Sequence, residues 1–179
     1  MKHILLLLCG FCISWVTAWG QAPPLEKRQL LNGRVELLVP AGFAPMNKEM
    51  LALKYPGGRP PQEVLTDERG ATNVAFSLTT TPVTQENLPY FEQQMHAIMQ
   101  KAQPKAIWYG HGTRKVHDRQ VGYLELMTPA VDTEVYNLIF FTDLDGHVLV
   151  MTFNCVKKDV ALWKDKAQEM VQSLRVLNP

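Results

Sequence analysis

The chain of 179 residues carries 18 Lys+Arg against 17 Asp+Glu, with 46% hydrophobic and 20% charged residues. A charge so close to balance excludes the basic field that gathers nucleic acid and the acidic runs of a cation buffer. The length suits one domain able to bury about two-thirds of its surface, and no internal repeat or low-complexity tract divides it.

Met1-Lys2-His3 is a short basic start, Ile4 to Trp15 is almost wholly apolar, and Ala18-Trp19-Gly20 places small residues where a signal peptidase reads. This layout predicts a secretory signal peptide over residues 1–20, cleaved before Gln21. The apolar stretch falls short of the roughly 20 residues a spanning helix needs, and Ser14 and Thr17 interrupt it. Leu8 before Cys9 and Phe11 before Cys12 stand where a lipid-attachment site needs a small residue, so a lipoprotein is not expected. The expectation is an exported protein, periplasmic or extracellular, with no integral membrane segment after signal removal. Losing residues 1–20 removes Lys2 and leaves basic and acidic side chains balanced. Cys155 is then the remaining thiol and has no disulfide partner, so the core must supply the stability.

Residues 21–26, with Pro23-Pro24, are expected to form a flexible leader, and residues 27–179 a single domain. Lys27 to Leu31 and Arg34 to Val39 read as strands around Asn32-Gly33, a dipeptide suited to a tight hairpin turn. Asn47 is placed to cap a short helix with Met50, Leu51 and Leu53 as its apolar residues, stopped at Pro56-Gly57-Gly58. Glu63 to Thr66 and Thr72 to Thr80 form a strand pair around Asp67-Glu68-Arg69-Gly70. Leu88, Phe91, Met95, Ile98, Met99 and Ala102 then recur at helical spacing. Pro89 fits the first turn of that helix if Asn87 is its N-cap, with Thr84 in the preceding turn and Pro104 at the far end.

Four strands follow, at Ala106 to Val116, Val121 to Thr128, Glu134 to Thr142 and His147 to Val156. Their short links force antiparallel neighbours. Val135 to Phe141 is nearly continuously apolar, with Leu138 and Phe140 on one face and Ile139 and Phe141 on the other. That pattern predicts a central strand covered on both faces. Asp159 caps a last helix whose stripe is Val160, Trp163, Ala167, Met170, Val171 and Leu174. The fold class is α+β: an α/β/α sandwich with a central antiparallel sheet, two long helices and one short helix.

Leu38-Val39-Pro40-Ala41-Gly42-Phe43 leads into the Met50 to Leu53 helix, and Asn73-Val74-Ala75-Phe76-Ser77-Leu78 follows. Tyr136-Asn137 with Phe140-Phe141, Thr152-Phe153-Asn154-Cys155 and Ser173-Leu174 complete the pattern. In order and character these elements resemble the PsbP/DcrB-like superfamily, which includes PsbP of the oxygen-evolving complex, Ran-binding Mog proteins and many bacterial envelope proteins. The resemblance spans nearly the whole mature chain. It implies the Mog/PsbP-type sandwich and a binding or assembly module without a common catalytic centre.

The most polar candidate patch is Trp108, Tyr109, His111, Arg114, Lys115, His117 and Arg119, aromatic residues beside cations as in an interface hot spot. A solvated hairpin tip explains the same residues. No catalytic residue is assigned: Ser77 and Ser173 lack a nucleophile elbow, and Gly57-Gly58-Arg59-Pro60-Pro61 lacks a phosphate-loop lysine. No metal or cofactor is expected, because His111 and His117 have no carboxylate or cysteine at supporting spacing. Asp143-Leu144-Asp145-Gly146 reads as a β-turn rather than a calcium loop. Glu125, within the alternating Tyr123 to Met127 strand, is expected to face solvent. Cys155 shares a face with Leu149, Met151 and Phe153 and reads as a buried, inert thiol.

These observations lead to a non-catalytic cell-envelope binding or assembly factor. It would recognise another envelope protein through a sheet edge or the Trp108 to Arg119 region. The alternatives are a periplasmic inhibitor or immunity protein, a small-ligand or lipid carrier, and an enzyme of the same compartment. A pocket of convergent titratable groups marks an enzyme, an exposed apolar patch a binding module, and an enclosed apolar cavity a carrier.

Overall fold

A computed structural model describes residues 22–57 and 60–177, so the expected signal peptide, with Gln21, Gly58 and Arg59, lies outside the described residues. Strands β1 (Leu25–Leu30) and β2 (Val35–Pro40) form a hairpin, followed by β3 (Ala44–Pro45), helix α1 (Lys48–Lys54), β4 (Glu63–Thr66) and β5 (Thr72–Pro82). Helix α2 (Leu88–Ala102) precedes the meander β6 (Ile107–Val116), β7 (Arg119–Pro129), β8 (Glu134–Leu144) and β9 (His147–Val156). Helix α3 (Val160–Ser173) and a short β10 (Arg175–Val176) end the described chain. No helix among these residues is long and apolar enough to cross a membrane.

The architecture is a mixed α+β fold on a large antiparallel sheet with three helices. Seven strands pair in the order β3-β4-β5-β9-β8-β7-β6, and β1-β2-β10 form a second small sheet. One face of the large sheet supplies Val74, Phe76, Tyr136, Leu138, Phe140, Leu149, Met151, Phe153 and Cys155, all packed with β2 and α3. Trp163, Ala167, Met170 and Val171 of α3 close this core, and the Trp163 ring meets Phe43 and Phe153 at 5.8 and 5.9 Å. The opposite face packs Leu124, Leu126 and Phe141 under Leu88, Phe91, Met95 and Met99 of α2. Near the other edge, Met50, Leu51 and Tyr55 lie on Val64 and Ala75.

Several boundaries differ from the sequence expectation, each for a local reason. Strand β1 begins at Leu25, and the Pro24 carbonyl accepts a bond from Ala41 N–H at 2.8 Å, so the end of the expected flexible leader is tied into the hairpin. The hairpin turn spans Leu31 to Arg34 rather than Asn32-Gly33 alone, with φ of 51°, 58° and 79° at Leu31, Asn32 and Gly33. Asn47 caps α1 as expected, its Oδ1 accepting from Met50 N–H at 2.8 Å. Leu53, however, is 81% exposed, because the single buried side of so short a helix is filled by Met50 and Leu51.

Asn87 behaves differently from a side-chain cap. Its Oδ1 accepts from Thr84 N–H at 2.8 Å, and Leu88 N–H donates to the Thr84 carbonyl, so a closed Thr84–Asn87 turn starts α2. The α2 stripe is also rotated from the expected one: Ile98 and Ala102 are exposed, while Glu92 is buried.

Strand β8 is covered on both sides over only part of its length. Helix α1 sits on β4 and β5 and α2 on β6 to β8, leaving a gap where Val135, Asn137, Thr152, Asn154 and Val156 are half-buried. Polar side chains span this gap. Asn73 Nδ2 donates to Asn154 Oδ1 at 2.9 Å, and Asn137 Nδ2 to Thr128 Oγ1 at 3.0 Å. Asn73, Asn154 and Asn137 occupy opposed positions on three adjacent strands.

Candidate partner-binding edge

Strand β6 is the outermost strand of the large sheet and carries most of the candidate residues. It pairs with β7 through a two-residue turn, Val116 opposite Arg119, in which His117 adopts a φ of 54°. The register breaks once. Trp108 lies opposite Leu126 and Gly110 opposite Glu125, so Tyr109 is the extra residue of a bulge. Beyond it, Gly112 has a φ of 142°, a conformation that favours glycine.

Because successive side chains alternate between faces, the candidate patch is divided rather than continuous. On the α3 side the Arg114 guanidinium lies 4.0 Å from the Tyr123 ring centroid, a cation–π geometry. Arg114 Nη1 donates to Gln168 Oε1 at 2.8 Å, and Gln168 Nε2 donates to Glu125 Oε2 at 3.1 Å. Tyr136 O–H donates to Glu125 Oε1 at 3.0 Å, where Lys164 Nζ also approaches to 3.1 Å. Lys164 in turn lies 4.9 Å from the Tyr109 ring.

Glu125 is thus only 7% exposed, contrary to the solvent-facing expectation. Gln168 and Lys164 of α3 cover it, and its oxygens are satisfied by donors, as a buried carboxylate requires. Burial, followed by the charge of Glu125, pushes the Tyr136 hydroxyl far above the usual phenol range. Tyr136 is therefore a fixed donor to the carboxylate.

The α2 side holds different chemistry. Trp108 packs into the apolar layer beneath α2, and His96 meets its ring edge-on at 4.7 Å. The His96 and His111 rings stack with centroids 3.5 Å apart and planes 16° apart. Glu92 Oε1 is 2.9 Å from His111 Nδ1, which fixes a donor at that nitrogen whenever the carboxylate is ionised. Burial and then His111 hold His96 below the usual histidine value, with Glu92 acting in the opposite direction. Among the described residues no three His, Cys, Asp or Glu side chains are placed to hold a metal ion.

The remaining candidates lie elsewhere. Arg119 Nη1 donates to Asp143 Oδ1 at 2.6 Å, joining β7 to the end of β8. His117 lines a groove with Lys27, Glu36, Ser173 and Arg175 beside the small sheet. Lys115 is exposed on β6. The seven residues therefore form an edge strand with two dissimilar faces and a separate turn.

Sequence reasoning missed Glu92, His96, Gln168 and Lys164. The four-residue spacing of Glu92 and His96 marked them as neighbours on α2, but nothing local placed that pair opposite His111. Cys155 is fully buried, and its thiol is pushed up to about 12, by burial first and then by Asp159. The expected inert environment is present.

No protein-family model matches the chain, and no curated protein matches it. Solved structures do. The chain is similar to cyanobacterial PsbP (CyanoP) from Synechocystis sp. PCC 6803, with TM-score 0.58 and 16% identity over 94% of this chain and 99% of that one. It is also similar to LpqN, involved in cell envelope biogenesis of Mycobacterium tuberculosis, with TM-score 0.55 and 12% identity over 80% and 83% of the two chains. A Bacteroides thetaiotaomicron protein, half of whose length is matched, gives TM-score 0.54 at 9% identity over 88% of this chain. With its hairpin, seven-stranded antiparallel sheet and three helices, the chain has a PsbP-like fold.

Proposed function

We propose that this protein is an exported, non-catalytic cell-envelope factor, an α/β/α sandwich that binds an extended segment of another envelope protein along β6. The free edge of β6 carries this reading. It ends a seven-stranded sheet and exposes Ile107 (54%) and Tyr109 (47%) near its start and Lys115 near its end, as strand addition requires. The Tyr109 bulge and Gly112 twist the strand, which discourages indiscriminate pairing and leaves the stretch after the bulge for a specific register. With Lys115 exposed on β6, the complementary segment is acidic. The envelope role of LpqN and the signal-like residues 1–20 support the location.

The test avoids Trp108, whose ring belongs to the core under α2. Tagged protein is crosslinked in its host, and captured partners are quantified for wild type and for Tyr109→Ser with Lys115→Glu. Capture of one dominant envelope protein is expected to fall about tenfold while thermal unfolding is unchanged. Equal capture by the variant removes β6 as the contact.

A further inference from the structure

Glu92 and His96 stand one turn apart on α2, and His111 faces them from β6, the edge strand. The charges that act on His96 are those of His111 and Glu92. Strand β7 presents Leu124 and Leu126 on this side, and β6 adds Trp108. One proton on the pair is tolerated, because an imidazolium at His111 donates to the buried Glu92 carboxylate. A second proton sets two cations face to face at 3.5 Å, with the single carboxylate of Glu92 at the edge of one ring. Stacking then becomes repulsion.

We propose that the His96–His111 stack is an acid-sensitive latch that holds α2 against edge strand β6 and loosens that strand when both rings are protonated. The latch stands on its own geometry; only its consequence, control of access to a docking edge, rests on the function proposed above. Its direction follows from the surroundings of His96. Burial and His111 favour the neutral ring in the folded protein, below the ordinary value of 6.5. The unfolded or unlatched form binds more protons through this range. Latch stability is therefore complete above the ordinary histidine value and declines as pH falls through it.

Histidine NMR titration and amide hydrogen exchange on the isolated protein test this without any partner. His96 should titrate below free histidine. His111→Gln should move its midpoint upward by removing a like charge, and Glu92→Gln should move it downward. Exchange of β6 amides bonded to β7, corrected for intrinsic rate, should rise about threefold or more between roughly pH 7.5 and 5. His96→Gln should abolish that rise. A His96 midpoint indifferent to His111→Gln, or an equal rise in His96→Gln, overturns the latch. An intact latch response with partner capture indifferent to pH counts instead against β6 as the docking edge.

Discussion

The two faces of the large sheet differ in how they exclude water. Towards α3 and the hairpin, Phe76, Tyr136, Leu138, Phe140, Met151 and Phe153 are fully buried, and the buried carboxylate of Glu125 is enclosed by donors. Towards α1 and α2 cover is partial, and the gap between the helices is bridged by amides and hydroxyls. The same strands build both surfaces. Cohesion thus resides on one side, leaving the other free to carry polar and titratable groups whose removal the fold can survive.

Adjacent substitutions on β9 test that division most sharply. Phe153→Ala removes a fully buried ring from the α3 side and should cost about 3–5 kcal/mol in denaturant unfolding. A cost under about 1 kcal/mol would mean that this face is loosely packed. Tyr136→Phe should cost roughly 1–2 kcal/mol, because Glu125 Oε1 loses a buried donor while Lys164 remains. The loss should shrink in a Glu125→Gln background, and full additivity would show that the two groups do not interact. Thr152→Val, next to Phe153 but facing the gap, should stay within about 0.5 kcal/mol.

Much of the fold could be read along the chain because its causes are local. The α3 stripe at Trp163, Ala167, Met170, Val171 and Leu174 is buried as its spacing requires. The opposed faces of Leu138 and Ile139 in β8 fall into separate apolar layers as alternation predicts. The site was less legible. Tyr123-Leu124-Glu125-Leu126 alternates like a strand with one wet face, and burial of Glu125 depends on Lys164 and Gln168, about forty residues later in the chain. The bulge at Tyr109 exists only in the pairing with β7, so the candidate patch could not be divided beforehand. Glu92 carried no local signal, because its partner His111 is on another element.

Asn73, Asn154 and Asn137 carry a consequence for assembly of the sheet. Side chains in a strand repeat every two residues, so sliding β9 by one position would turn Asn154 into the layer now filled by Phe153 and Cys155. The misplaced amide would lose Asn73 and enter a largely apolar core, at the cost of burying a polar group away from its partner. The row of amides thus acts as an alignment mark that penalises mispaired sheets.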